Sequence, residues 1–351
     1  MINPLIEIKR YKLIKKIVSE MNKISNSLNL SFDMSNILSH WIMLNIDGTK
    51  QGIFPLKNIN NKQIIRDLEI ANENVVTKLE AKFVLKKLRI KYFFKDASVK
   101  LHKFTKSKFY TTNKREKINY ENGVFKFASE KMRKFFSDKI AINSNLFKKL
   151  FDKSHNVNLV FILFLRYKSL NSNNQQLAVY ESFYRDLQEH LRLNFELFGS
   201  AINTIFPNYC SLFYDIEKYF GSKGSFFDYP LKEGFYVANP PYDENIMLKM
   251  TNHILDTLNI IDRLSILLVI PCWDRNESKY GRFHSIEKLQ NSQHTVFIKK
   301  IFKKNTKFFN YDTNQLVSPV DVYFILVSNQ SDIKFTKTLL YLIKKHFMKV
   351  I

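Results

Sequence analysis

Cysteine is close to absent: Cys210 and Cys272 are the only two. Two thiols supply neither a disulfide framework nor a zinc site of the usual ligand spacing, so both read as core filler in a reducing compartment. Glycine and proline number 8 each among 351 residues, which excludes collagen-like and low-complexity classes. Long apolar runs are missing too. The longest, residues 159–165 and 266–270, fall well short of the ~20 residues that cross a bilayer, and an N-terminus carrying Glu7, Lys9, Arg10 and Lys12 is no secretory signal. The expectation is a soluble, intracellular protein with no membrane partner. Acidic residues are the scarcest charge: 32 against 55 basic ones, a formal net charge of +23. Such an excess points to a polyanionic partner, nucleic acid before an anionic membrane. Part of it follows from the Lys-, Asn-, Ile- and Phe-rich composition typical of A/T-rich coding, which carries no function.

What is present is ample apolar matter, 45% hydrophobic and 15% aromatic, enough for the core of one large domain or two medium ones. Residues 1–190 read as a mainly helical, basic domain. Ile14, Ile17, Met21, Ile24 and Leu28 recur at helical spacing, as do Ile64, Leu68, Ala71, Val75 and Leu79. Within residues 82–117 lysines and arginines, Lys86, Lys87, Arg89 and Lys91 among them, interleave with Tyr92, Phe93, Phe94, Phe104, Phe109 and Tyr110. Cations beside rings suit single-stranded nucleic acid; a solvated lysine face over a buried aromatic one has the same composition. A polar stretch at 171–176 predicts a loop, and Leu177, Tyr180, Tyr184, Leu187 and Leu191 a helix after it.

From residue 191 to 351 the texture is α/β. Candidate strands lie at 195–198, 235–238, 264–270, 295–301 and 320–327, with a helix over 244–258 marked by Ile246, Met250, Ile254 and Leu258. No internal repeat is visible. The chain has no GxSxG, GxxxxGK[ST], HExxH or GxGxxG, and its histidines form no metal-like cluster. It does have Asn239-Pro240-Pro241-Tyr242 directly after a candidate strand and directly before a candidate helix. An exocyclic amine of a nucleobase is a poor nucleophile because its lone pair is delocalised into the ring. The Asn239 side chain and the Pro240 carbonyl can accept both of its N–H bonds and leave the lone pair aimed at an electrophilic methyl. Consecutive prolines donate no backbone hydrogen bond and restrict φ, so the loop can present that carbonyl. The Tyr242 ring can stack on the base. A rigid strand-to-helix turn is the plainer use of the same residues.

Residues 195–247 carry ordered blocks: FGSAIN from Phe198, NYCS from Asn208, YFGSKG from Tyr219 and ANPPY from Ala238. They continue through Ile270-Pro271-Cys272-Trp273 and, upstream, Arg166-Tyr167. In these blocks the chain resembles the phosphorylated-CTD-interacting-factor family of cap-specific adenosine N6-methyltransferases. Tyr242 stands where the family tends to have Phe, and Cys272 where it has an acidic residue; no WW-type module is evident.

The resemblance implies a Rossmann-like class I methyltransferase domain over 191–351, preceded by the helical basic domain. It implies S-adenosyl-L-methionine as methyl donor and, as substrate, N6 of the 2′-O-methyladenosine next to an m7G cap. Asn239, Pro240, Pro241 and Tyr242 then become catalytic. Ser200, Asn203, Phe220, Gly221, Ser222, Asp228 and Asn239 become candidate cofactor contacts, and Lys86, Lys87, Arg89, Lys91, Arg166, Trp273, Arg275 and His294 candidate RNA or cap contacts. Gly-Ser turns, a capping Asp, a core Trp or a surface Arg would account for single members of these sets. The implied partners are capped RNA starting with adenosine and the transcription machinery, met by a monomer in the nucleus or cytoplasm. The motif by itself equally permits methylation of DNA or another RNA, and the fold a silent RNA-binding homologue.

Overall fold

A computed structural model describes residues 2–27, 89–170, 176–273, 283–311 and 313–348. The predicted helix over Ile64 to Leu79, together with Lys86, Lys87, Arg275 and the side chain of Lys91, lies outside the described residues. The chain forms two compact units, Met1–Asn173 with Phe213–Phe220, and Asn174–Leu212 with Gly221–Ile351. The change of sequence texture suggests a boundary at residue 190; the fold moves 174–190 into the second unit and returns an eight-residue excursion, 213–220, to the first.

In the first unit, helix α1 (Pro4–Ser27) starts on Pro4, whose missing N–H costs nothing in a first turn. It buries Leu5, Ile8, Ile14, Ile17 and Met21. Helices α2 (Ile90–Thr105), α3 (Lys108–Asn113), α4 (Glu130–Phe135), α5 (Ser144–Ser154) and α6 (Val157–Leu170) follow. α6 buries Val160, Phe161, Ile162, Leu163 and Leu165 almost all round, as a helix at the centre of a core must. A hairpin not anticipated from sequence, β1 (Ile118–Glu121) with β2 (Val124–Phe127), turns on Asn122 and Gly123, φ 49° and 81°. Positive φ at both central residues is what a two-residue hairpin turn requires.

Arg166, a candidate RNA contact by sequence, is 1% exposed and held by ion pairs within this unit. Its Nη2 donates to Glu7 Oε2 at 2.8 Å, and Nη1 donates to both carboxylate oxygens of Asp215 at 2.6 and 2.7 Å. A guanidinium this deeply buried and held by two carboxylates is shut away from any phosphate, so that assignment is withdrawn. The rings of the basic segment are also largely core: Phe94 and Tyr110 are buried, and Phe104 stacks on Phe135 at 5.9 Å. Tyr92 alone among the described rings of that segment is more than half exposed, with the Arg89 guanidinium 4.3 Å from its centre.

The second unit is built on a six-stranded mixed sheet. A small three-stranded sheet accompanies it, containing β3 (Leu177–Val179), β9 (Phe308–Asn310) and β10 (Gln315–Val317) in the order β10-β9-β3. Leu177, read from sequence as the start of a helix, is therefore strand, and helix α7 (Glu181–Leu191) begins after it. The large sheet contains β4 (Phe195–Glu196), β5 (Asn208–Tyr209), β6 (Gly234–Ala238), β7 (Leu264–Pro271), β8 (Thr295–Ile301) and β11 (Val322–Ser328). Its order is β5-β4-β6-β7-β11-β8, parallel from β5 to β7, with β11 antiparallel to both neighbours.

Every residue of β7 is buried, as a strand covered on both faces must be. Alternate residues serve opposite layers. Ile266, Leu268 and Ile270 join Met247, Met250 and Ile254 of α8 (Glu244–Leu258) and Ile286 and Leu289 of α9 (His284–Gln290). Leu267 and Val269 join Phe183 and Leu187 of α7 and Leu339, Leu342 and Ile343 of α10 (Ile333–Phe347).

Candidate active site

Strand order reverses at β4: the chain runs from β4 to β5 on one side, and β6 lies against β4 on the other. In open α/β sheets the crevice beyond the carboxyl ends of the strands at such a point receives the ligand. The ordered sequence blocks that lie in this unit end up along this edge. FGSAIN leaves β4, NYCS ends β5, ANPPY ends β6 and IPCW ends β7, while GSKG runs parallel beside β5 through a Tyr209–Ser222 bridge.

After β4 the chain folds into a closed polar turn. Asn203 Oδ1 accepts from Ser200 N at 2.7 Å, and the Ser200 carbonyl accepts from Thr204 N at 2.9 Å. Ser200 Oγ also lies 2.7 Å from Oε1 of buried Gln176. A Cβ on Gly199 would stand 3.1 Å from Glu196 Oε2, so the backbone passes close over that buried carboxylate. On the neighbouring strand Ser222 Oγ shares a hydrogen with Ser211 Oγ at 2.7 Å. Gly221 has φ +108°, and a Cβ there would meet Pro207 O at 2.7 Å, so no other residue fits. Cys210, between these turns, is buried and its thiol pushed up to about 12 by desolvation, as inert filler should be.

The Asn239–Tyr242 segment leaves β6 pinned at its far side. Asp243 Oδ1 accepts from Asn245 N and Ile246 N, both at 3.0 Å, which caps α8. Glu244 in its first turn accepts from Ser285 N at 3.0 Å. The Tyr242 hydroxyl reaches Asn239 Oδ1 at a long 3.4 Å, and burial raises its phenol pKa, so the hydroxyl stays protonated. Its ring meets Trp273 edge-on at 6.0 Å and 83°, and Trp273 leans on Phe283 at 5.3 Å. The edge thus offers an amide, a proline carbonyl and an aromatic corner beside pinned turns.

Asn239, Pro240, Pro241, Tyr242, Ser200, Asn203, Gly221, Ser222 and Trp273 share this edge. Phe220, directly before Gly221, is a buried residue of a short turn. Asp228 is exposed and neighbours His253, nine residues into α8 and so about 14 Å from that helix's start. His294 precedes β8, which runs parallel to β7; register pairs Thr295 with Val327 and Val327 with Ile266, but Ile301 with Val322 and Val322 with Pro271. That puts His294 at the opposite edge of the sheet, about 20 Å away, where its ring bonds Asn259 Oδ1 at 2.9 Å. The role expected for His294 at this site is corrected accordingly. Conversely, sequence reasoning misses Glu196, Gln176, Tyr184 and Tyr311. Gln176 accepts the Ser200 hydroxyl and its carbonyl bonds Tyr311 N, but the loop and apolar-repeat signals around them give no hint of a shared site.

Fold and edge define an α/β protein whose polar turns and aromatic corner gather at the switch point of a mixed sheet. Residues 131–311, just over half of the chain, match the family model described as the phosphorylated CTD interacting factor 1 WW domain. The chain belongs to that family. It is similar to the mRNA (2′-O-methyladenosine-N(6)-)-methyltransferase of Mus musculus, 36% identical over 91 residues, which are 26% of this chain and 13% of the relative. To the Homo sapiens protein of the same name it is 39% identical over 82 residues, 23% of this chain and 12% of the relative. The matched part is little more than a tenth of each curated relative.

Proposed function

We propose that the second unit is a Rossmann-like class I methyltransferase that transfers a methyl group from S-adenosyl-L-methionine to N6 of the 2′-O-methyladenosine next to an mRNA cap. The observation that carries this is Asn239-Pro240-Pro241-Tyr242 at the carboxyl end of β6, beside the switch point, on a chain whose relatives bear that activity in their names. The strand order supports it as well, since the antiparallel last strand β11 inserted before β8 is the class I arrangement. The residues at the edge fit the donor: a close backbone pass at Gly199, a turn only Gly221 can make, and a buried carboxylate at Glu196.

S-Adenosylmethionine, when bound, supplies a methyl group activated by its sulfonium. The Asn239 amide oxygen and the Pro240 carbonyl accept the two N6–H bonds and hold the amine pyramidal, and the Tyr242 ring holds the base plane. Neither acceptor is basic enough to deprotonate an aromatic amine beforehand; the alkylated nitrogen is cationic and acidic, and loses its proton to water. Fixing donors and acceptors in advance is worth several orders of magnitude in rate. The first unit serves as the RNA-binding domain, with Lys9, Lys12 and Lys131 over the rings of Phe104, Phe135 and Phe109 and with Arg89 on exposed Tyr92. The test is nucleoside mass spectrometry after incubation with m7G-capped, G-capped and triphosphate-ended RNAs of one sequence starting with adenosine, and with matched DNA. Methylation highest on the m7G-capped RNA is expected; equal rates on all, or a preference for DNA, would remove the cap from the reading.

A further inference from the structure

Tyr184 lies on the inner face of α7, 1% exposed, its ring 5.2 Å from that of Phe206. It belongs to the apolar layer that holds Val237 of β6 and against which Tyr242 packs. Its hydroxyl has no hydrogen-bond partner among the described residues. A buried hydroxyl left unpaired is costly, and a bound ligand is one way such a group in a native structure is completed. The titratable groups that act on it electrostatically are Glu196, Tyr242 and Tyr311. Two of the three, Glu196 at the end of β4 and Tyr242 after β6, stand on the two sides of the switch point. A carboxylate among phenols attracts a cation and repels an anion.

We propose that Tyr184 is a binding residue for the methyl donor: its hydroxyl oxygen, beside the Glu196 carboxylate, accepts a hydrogen bond from the ammonium of the ligand's amino-acid end. This rests on the methyl-donor reading of the crevice. It adds a group from α7, ahead of the first strand of the sheet and outside every sequence block that pointed to the site. Residues of α7 thereby select donors that carry an α-amino acid over nucleosides that lack one.

The test compares two ligands by titration calorimetry on the full chain: S-adenosylhomocysteine, which has the amino-acid end, and 5′-methylthioadenosine, which does not. Tyr184→Phe is expected to weaken S-adenosylhomocysteine at least fivefold while leaving methylthioadenosine within twofold. Glu196→Gln, which keeps shape and removes charge, should show the same selectivity. The ligand-free Tyr184→Phe protein should melt no lower than wild type, because an unpaired hydroxyl contributes nothing to lose. Unchanged S-adenosylhomocysteine affinity, equal weakening of both ligands, or a lower melting temperature of the ligand-free variant would each overturn the assignment. Wild-type protein that binds neither ligand would overturn the methyl-donor reading itself, a result distinct from all three.

Discussion

Tyr242 contributes a ring and a hydroxyl to the proposed site, and two substitutions separate them. The hydroxyl donates to Asn239 Oδ1 at 3.4 Å, well beyond the ~2.7–2.8 Å of a good O–H···O bond. Such a bond contributes at the low end of the usual range, about 0.5 kcal/mol, or roughly twofold in rate. The ring meets Trp273 at 6.0 Å, edge to face, an interaction worth about 0.5–1.5 kcal/mol, and in the proposed complex it also stacks on the adenine for about 1–3 kcal/mol. Tyr242→Phe should therefore keep kcat/KM on m7G-capped, adenosine-initiated RNA within about threefold, whereas Tyr242→Ala should lose on the order of 10- to 10³-fold. Because burial raises the phenol pKa and keeps it protonated, the ratio between the two variants should be the same at pH 7 and pH 9. A Phe variant as impaired as the Ala variant would show that the hydroxyl acts on the substrate; an Ala variant within threefold of wild type would remove the ring from the transition state.

Asn239→Ala should lower kcat about 10²- to 10³-fold while S-adenosylhomocysteine affinity, measured calorimetrically, stays within a few fold; near-normal turnover would refute the amine-holding role. Arg166→Met leaves buried Glu7 with Arg10, at 3.2 Å, and takes the bidentate partner from Asp215, and should destabilise the protein by about 3 kcal/mol in chemical denaturation, the low end for a broken buried pair, with no change in the salt dependence of RNA binding. Neutralising Lys86, Lys87, Arg89 and Lys91 together should flatten that salt dependence by about 0.7 for each phosphate the segment no longer neutralises, and an unchanged slope would return the segment to a solvated lysine face. Asp186 bonds Lys345 and His346, each at 2.7 Å, and these hold its carboxyl below the usual carboxylate range. Its contribution is then present above about pH 4 and lost as pH falls through the lowered folded value. The melting-temperature gap between wild type and Asp186→Asn should be constant near neutrality and close in acid.

Local periodicity carries α8 and β8 almost residue for residue, because Ile246, Met250, Ile254 and Leu258 form one helical face and residues 295–301 lie between turns. The β1–β2 hairpin is equally local, signalled by Asn122-Gly123 between alternating residues, but the dense lysines and rings upstream mask it with a helical pattern. β3 is not legible at all: Leu177-Ala178-Val179 becomes strand by pairing with Phe308–Asn310, a partner far along the chain. The same holds for Arg166. Its partners Glu7 and Asp215 lie 159 and 49 positions away, so an arginine beside a tyrosine reads as a ligand group. His294 is misplaced by sequence because strand direction, unlike strand location, leaves no mark in the residues themselves.

What each crevice residue has left to offer follows from how its polar groups are spent. Ser200, Asn203 and Gln176 bond one another, and Ser211 bonds Ser222, so these buried side chains are committed to shaping turns. Their contribution to a ligand is the backbone they fix in place, with Gly221 where a Cβ would collide with backbone and Gly199 where one would crowd the Glu196 carboxylate. Asn239 differs. Among the described residues its Oδ1 carries only the long contact to Tyr242, which leaves one lone pair of the amide for an incoming N–H. The serines and Asn203 thus act on the site through geometry, and Asn239 through a direct bond. Ser200→Ala, which deletes the bond to Gln176, should therefore weaken S-adenosylhomocysteine and lower thermal stability together, whereas Asn239→Ala should spare both and strike turnover alone. If Ser200→Ala instead lowered turnover with binding and melting temperature unchanged, this division of labour between the two sides of the switch point would be wrong.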